Sequence, residues 1–149
     1  FPYTTLFRSC CGVGLFSIAL APACRKMIGV EINKNSDADH FPEKRFSHNI
    51  ANADFICADL QDVLKSHHQC KEPLDLAILN PPRTGLSSEA LGMLGKMGIP
   101  DIIYISCDPA TQARDVRFLM EKGYSLVFLQ PLDMFPQTQH VEVIAFLQK

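Results

Sequence analysis

From Gly12 onward, short apolar runs alternate with stretches of helical spacing, which is the pattern of a parallel sheet flanked by helices. The spacing predicts helices at 14–21, 60–67, 87–97 and 109–122. It predicts strands at 26–32, 54–58, 74–80, 101–107, 124–130 and 140–148. Residues 34–52 should hold a crossover helix, but Pro42 falls inside it and would break or kink a helix at a cost of about 3 kcal/mol. The expected architecture is a doubly wound α/β fold, mostly parallel, whose last strand runs antiparallel. There are no internal repeats, no low-complexity tracts and no linker long enough to divide residues 10–149, so one domain is expected.

In such a sheet a ligand sits beyond the carboxyl ends of the strands. Polar or glycine residues fall at five such ends. Cys11-Gly12-Val13-Gly14-Leu15-Phe16 opens the first helix, where missing side chains let a ligand approach the backbone. Glu31 ends the next strand, Asp59 follows the third, Asn80 closes the fourth and Cys107 the fifth. Each signal is weak alone, since a G-x-G arises often by chance and a strand-terminal Asp more often caps a helix than touches a ligand. Together on one edge they point to a nucleoside-cofactor site formed by Gly12, Gly14, Phe16, Glu31, Asp59 and Asn80. The loop lacks the third glycine of the dinucleotide fingerprint, which disfavours a nicotinamide enzyme.

Charge and cysteine usage narrow the classes further. With 14 basic and 16 acidic residues the net charge is −2, so no global basic field grips a phosphate backbone. The six cysteines lack the C-x-x-C spacing of zinc or iron–sulfur sites and read as reduced cytosolic thiols, with no metal expected. No apolar run approaches the roughly 18 residues of a membrane span, and a cytoplasmic protein with no membrane partner is expected.

Phe1 to Ser9 resembles the translation of a common short-read sequencing adapter and is set aside from functional reasoning as a scar. On that reading the chain begins in mid-protein and has lost an N-terminal part.

Three segments resemble the RNA (uracil-5-)-methyltransferases. They are Asn80-Pro81-Pro82-Arg83-Thr84-Gly85-Leu86, Ser106-Cys107-Asp108-Pro109-Ala110-Thr111, and the stretch from Asp133 to Glu142 that ends His140-Val141-Glu142. Class I methyltransferases in general share the Gly-rich loop, an acid after the second strand and a [DN]-P-P motif after the fourth. The resemblance covers nearly all of residues 10–149. It implies a Rossmann-like fold, S-adenosyl-L-methionine as cofactor, an RNA uridine in ribosomal (23S) or transfer RNA as substrate, Cys107 as nucleophile and Glu142 as base. Chemistry explains the pair independently. Uracil C5 is too poor a nucleophile to take a methyl group directly, so a thiolate must first add to C6. A base must then remove the C5 proton before the thiol can leave. An antiparallel final strand would start at the carboxyl edge and bring His140 and Glu142 beside Cys107, where His140 either orients a group or packs.

Departures from the family pattern also matter. Asp108 replaces the usual Asn of S-C-N-P, and its charge would raise the pKa of the adjacent thiol unless turned away or paired. Asn80 replaces the commoner Asp, and the acidic residue expected two positions before the Cys-Gly loop falls inside the Phe1–Ser9 segment. The oligonucleotide-binding TRAM module and upstream iron–sulfur cysteines of many relatives are absent from this sequence. Two other readings stand: a truncated Rossmann-like fragment without activity, and an exocyclic-amine methyltransferase using Asn80-Pro81-Pro82. Arg83 argues against the second, because those enzymes carry an aromatic at that position.

Overall fold

The apolar runs form the strands of one twisted sheet. The structure is a computed structural model that describes residues 3–10, 19–32, 51–70, 73–134 and 136–149. Seven strands are seen among these residues: β1 Tyr3–Ser9, β2 Cys24–Glu31, β3 Ala53–Cys57, β4 Leu76–Leu79, β5 Asp101–Ser106, β6 Ser125–Leu132 and β7 Glu142–Gln148. Their order is β3-β2-β1-β4-β5-β7-β6. β1 to β5 are parallel, and β7 runs antiparallel between β5 and β6. The strand order reverses between β1 and β4, which opens the crevice where doubly wound sheets bind ligands. This is a Rossmann-like, doubly wound architecture, with the mixed sheet end expected from the sequence.

The three described helices are α1 Leu60–Cys70, α2 Ser88–Met97 and α3 Pro109–Glu121. Local chemistry sets their ends. Ser87 accepts the Ala90 N–H at 3.1 Å to start α2, and Gly98, at φ 66°, ends it in the left-handed conformation that glycine adopts without a Cβ penalty. Asp108 caps α3 and Pro109 occupies its first turn, where a missing N–H costs nothing. Alternation along the strands divides the core. Phe7, Ala77, Leu79, Ile102 and Tyr104 face the helices, whereas Leu6, Met27, Leu76 and Ile78 face the opposite side.

Most elements begin and end within two residues of their expected bounds; α1 runs three residues past its expected end and the strand expected at 140–148 starts at Glu142, while β1 departs further. No strand was expected ahead of Gly12, because Phe1–Ser9 was set aside, yet Tyr3–Ser9 is an interior strand between β2 and β4, and its Leu6 and Phe7 are buried on opposite faces. The end of the helix expected at 14–21 is replaced at Ala21–Ala23 by a short 3-10 turn, with Pro22 near its start. Residues 14–18 of that helix, including Gly14 and Phe16, lie outside the described residues, as does the crossover expected at 34–52, Pro42 included, up to residue 50.

Candidate active site

Parallel pairing brings the strand ends to one edge. Glu31 pairs in register with Cys57, and the Ala58 N–H donates to the Glu31 carbonyl at 3.1 Å, so Glu31 and Asp59 stand side by side. Cys10 and Asn80 follow the ends of β1 and β4 beside them, and Cys107 follows the end of β5. Glu31, Asp59, Asn80 and Cys107 therefore share the carboxyl edge, each half-buried. Gly12, Gly14 and Phe16 belong to the segment outside the described residues.

A cavity of about 200 Å³ opens at this edge. Val30, Ile32, Ala58, Leu60 and Leu86 give it apolar walls and Asp59 a carboxylate. The Asp59 Oδ1 accepts the Gln61 N–H at 2.9 Å and so starts α1, which makes the residue a helix cap as well as a cavity wall. Cys10 also lines the cavity, and burial followed by the nearby Glu31 and Asp59 charges raises its thiol pKa. The contribution of Leu86, Ser87 and Ala90 to the cavity was missed in the sequence, where Leu86 read only as the end of the Asn80–Leu86 segment and Ser87 and Ala90 as the start of a helix.

The second part of the site is built around Cys107. Ser106, almost fully buried, accepts the Asp108 N–H at 3.0 Å through Oγ and donates to the Asp108 carbonyl at 3.1 Å. The two bonds bracket Cys107 in a tight turn. The Asp108 carboxylate turns away to accept the Ala110 and Thr111 N–H groups, each at 3.0 Å. Those helix N–H bonds, Thr111 first, hold its carboxyl below the usual range, with the Arg83 charge adding to the effect. The charge that departs from the family pattern is thus taken up by a helix start.

The loop after β4 is held against α3. Gly85 turns at φ 76° and donates to the Pro82 carbonyl at 2.9 Å. The Thr111 hydroxyl donates to the Arg83 carbonyl at 2.9 Å, and Arg114 donates to the Thr84 carbonyl at 3.0 Å. Asp115, fully buried, accepts the Leu86 N–H at 2.8 Å, the Tyr104 hydroxyl at 2.6 Å and the Arg114 Nε at 2.8 Å. Burial, then this hydrogen bond, pushes the Tyr104 phenol far above its ordinary value.

β7 supplies the opposite wall. Ser106 pairs with Val143 in the last rung between β5 and β7, and Cys107 and Glu142 are the next residues of their chains past it, Glu142 pairing with Leu132 of β6. His140 lies just outside β7 and is exposed, its N–H donating to the Thr138 hydroxyl at 3.2 Å. Among the described residues no group of three His, Cys, Asp or Glu could hold a metal ion, and no helix is long and apolar enough to cross a membrane.

The chain is similar to known proteins over nearly all of its length. An RNA methyltransferase of uncharacterised specificity from Chlamydia muridarum is 36% identical over 145 residues, covering 97% of this chain and 36% of its own length. The 23S rRNA (uracil(1939)-C(5))-methyltransferase of Legionella pneumophila (strain Corby) is 39% identical over 140 residues, covering 93% and 31%. The crystal structure of Pyrococcus abyssi tRNA (uracil-54, C5)-methyltransferase in complex with S-adenosyl-L-homocysteine superposes with a TM-score of 0.83 at 31% identity, over 97% of this chain and 34% of that one. The chain spans about a third of the length of these relatives. The tRNA (Uracil-5-)-methyltransferase family matches residues 4–149, and the chain belongs to that family.

Proposed function

We propose that this domain binds S-adenosyl-L-methionine and transfers its methyl group to C5 of an RNA uridine, in 23S ribosomal RNA, through a covalent bond from Cys107 to C6. The observation that supports the reading is the antiparallel return of β7, whose last rung with β5, Ser106 with Val143, lies one residue from both Cys107 and Glu142. The apolar cavity suits a purine ring, with Asp59 as an acceptor for its exocyclic amine and Glu31 at the depth of ribose hydroxyls. Gly12, Gly14 and Phe16 would complete the cofactor site, and Asn80 would mark the boundary between cofactor and uracil.

When bound, the cofactor supplies an electrophilic methyl group. The Cys107 thiolate forms a bond to C6, and the C5=C6 electron pair moves onto C5, which becomes nucleophilic enough to be methylated. Glu142 then takes the C5 proton. The C–H electron pair restores C5=C6, the bond from sulfur to C6 breaks, and Cys107 leaves as the thiolate. With a net charge of −2 the chain has little general attraction for phosphate, so the grip on RNA is local to the site or supplied from outside these residues.

Calorimetric titration with S-adenosylhomocysteine tests the cofactor half, and label transfer from the methyl donor into RNA tests the reaction. Weak but measurable heat is expected, because Glu31 is in place whereas the acid expected ahead of the Cys-Gly loop is not. No heat from this chain, and none from a longer form that carries more of the relatives' length, would overturn the cofactor assignment. Label recovered anywhere but uracil C5 would overturn the substrate.

A further inference from the structure

We infer that Gln112 is a positioning residue that fixes the spacing of Glu142 from Cys107; the inference rests on the methyltransfer reading of this site. Gln112 lies on α3, one turn after its Asp108 cap, and is 2% exposed. Its carboxamide nitrogen donates to the Tyr104 carbonyl of β5 at 3.0 Å and to the Val143 carbonyl of β7 at 2.9 Å. Both N–H groups of a planar amide are thereby used on two different strands. One of those strands runs directly into Cys107, and the other begins with Glu142.

The position of this clamp gives it a role beyond packing. The ladder between β5 and β7 ends at the pair Ser106 and Val143, and Cys107 and Glu142 stand just past that last rung. Terminal rungs open most easily, since no further pair holds them closed. Gln112 bonds to the last rung itself and is carried by a helix whose start is fixed to the Cys107 turn. Proton removal needs the carboxylate within hydrogen-bond reach of C5, and a displacement near 1 Å can cost about a hundredfold in rate. Attack on C6 depends on Cys107 and its Ser106 bracket instead. Loosening the seam should therefore slow the second half of the reaction while sparing the first.

The two halves can be read separately in the full-length protein. RNA carrying 5-fluorouridine leaves Glu142 no proton to remove, so the rate of adduct formation on it reports attack and methylation alone. Gln112→Met keeps the bulk and removes both donors. Its adduct formation on fluorinated RNA is expected within about threefold of the parent, whereas turnover on uridine RNA falls about tenfold or more and the methylated adduct accumulates. Gln112→Asn, which keeps the amide on a shorter arm, is expected to show the same split to a smaller degree, and it serves if the Met variant does not fold. Equal slowing on both RNAs, or unchanged turnover on uridine, would overturn the positioning role. A parent protein that forms no adduct with fluorinated RNA would overturn the proposed reaction itself.

Discussion

The two halves of the site are built by different means. On the side of β1, β2 and β3, the described residues offer strand ends and apolar walls, with Asp59 bonding locally to its own helix. On the side of β4, β5 and β7, the first turns of α3 bond to each neighbouring segment: Thr111 and Arg114 to the loop after β4, Asp115 to that loop and to β5, and Gln112 to β5 and β7. Under the proposed function, the contrast follows from the work each half would do. A flat ring binds through buried area, which varies slowly with position. A nucleophile and a base must be held to a fraction of an ångström, and only short directional bonds inside the protein do that.

The comparison can be broken most severely at Asp115. Asp115→Ala strands the Leu86 N–H and the Tyr104 hydroxyl in a buried setting, and an expected stability loss of about 3 kcal/mol should appear in denaturant unfolding. A loss below about 1 kcal/mol would mean that the loop after β4 is held by packing instead.

Gly85→Ala attacks the same contact from the other side. At φ 76° an added Cβ would stand 2.6 Å from Asp115 Oδ2 and 2.5 Å from Arg114 Nη2, so both strain and clash apply. An expected loss of about 2 kcal/mol, together with weaker cofactor binding because Gly85 lines the cavity, would link the two halves. Unchanged cofactor affinity would separate them.

The smallest effect is expected at Asp108. Its carboxyl is held below the usual range by the α3 N–H bonds, so its contribution to stability is fully present above the unfolded value, near 3.9, and is lost as pH falls through the lower folded value. Asp108→Ala should slightly lower the unfolding midpoint at neutral pH and remove that acid-side component. Asp108→Asn should restore the neutral-pH midpoint, since either side chain caps a helix. A faster reaction of the Asn variant would show that the Asp charge still reaches the Cys107 thiol.

The difference between the halves also governs what could be read in the sequence. Glu31, Asp59, Asn80 and Cys107 were legible because each interrupts or follows an apolar run, and the register of parallel strands then places them together. Gln112 and Asp115 were not. They share the inward face of α3 with Val116 and Leu119, at helical spacing, but nothing in the sequence distinguishes them from polar residues on a solvated helix face. Only the positions of Leu86, Tyr104 and Val143, brought in from three other elements, give them partners. β1 teaches a separate lesson. The slot between β2 and β4 asks only for an extended segment with apolar residues on both faces, which Leu6 and Phe7 supply, so a strand role and a coding origin are independent matters. Sequencing genomic DNA across the codons for Phe1 to Ser9 decides the origin. β6 reads as an ordinary apolar strand, yet it is the sheet edge, and Val127 and Leu129 are more than half exposed.

The central claim is that Cys107 and Glu142 act in successive steps on one uracil ring. Denaturing gels of the full-length protein incubated with methyl donor and a loop-uridine RNA test it directly. Cys107→Ala should give neither turnover nor a protein–RNA species, whereas Glu142→Gln should accumulate a methylated adduct that survives denaturation. An adduct persisting in Cys107→Ala, or normal turnover in Glu142→Gln, would contradict the account.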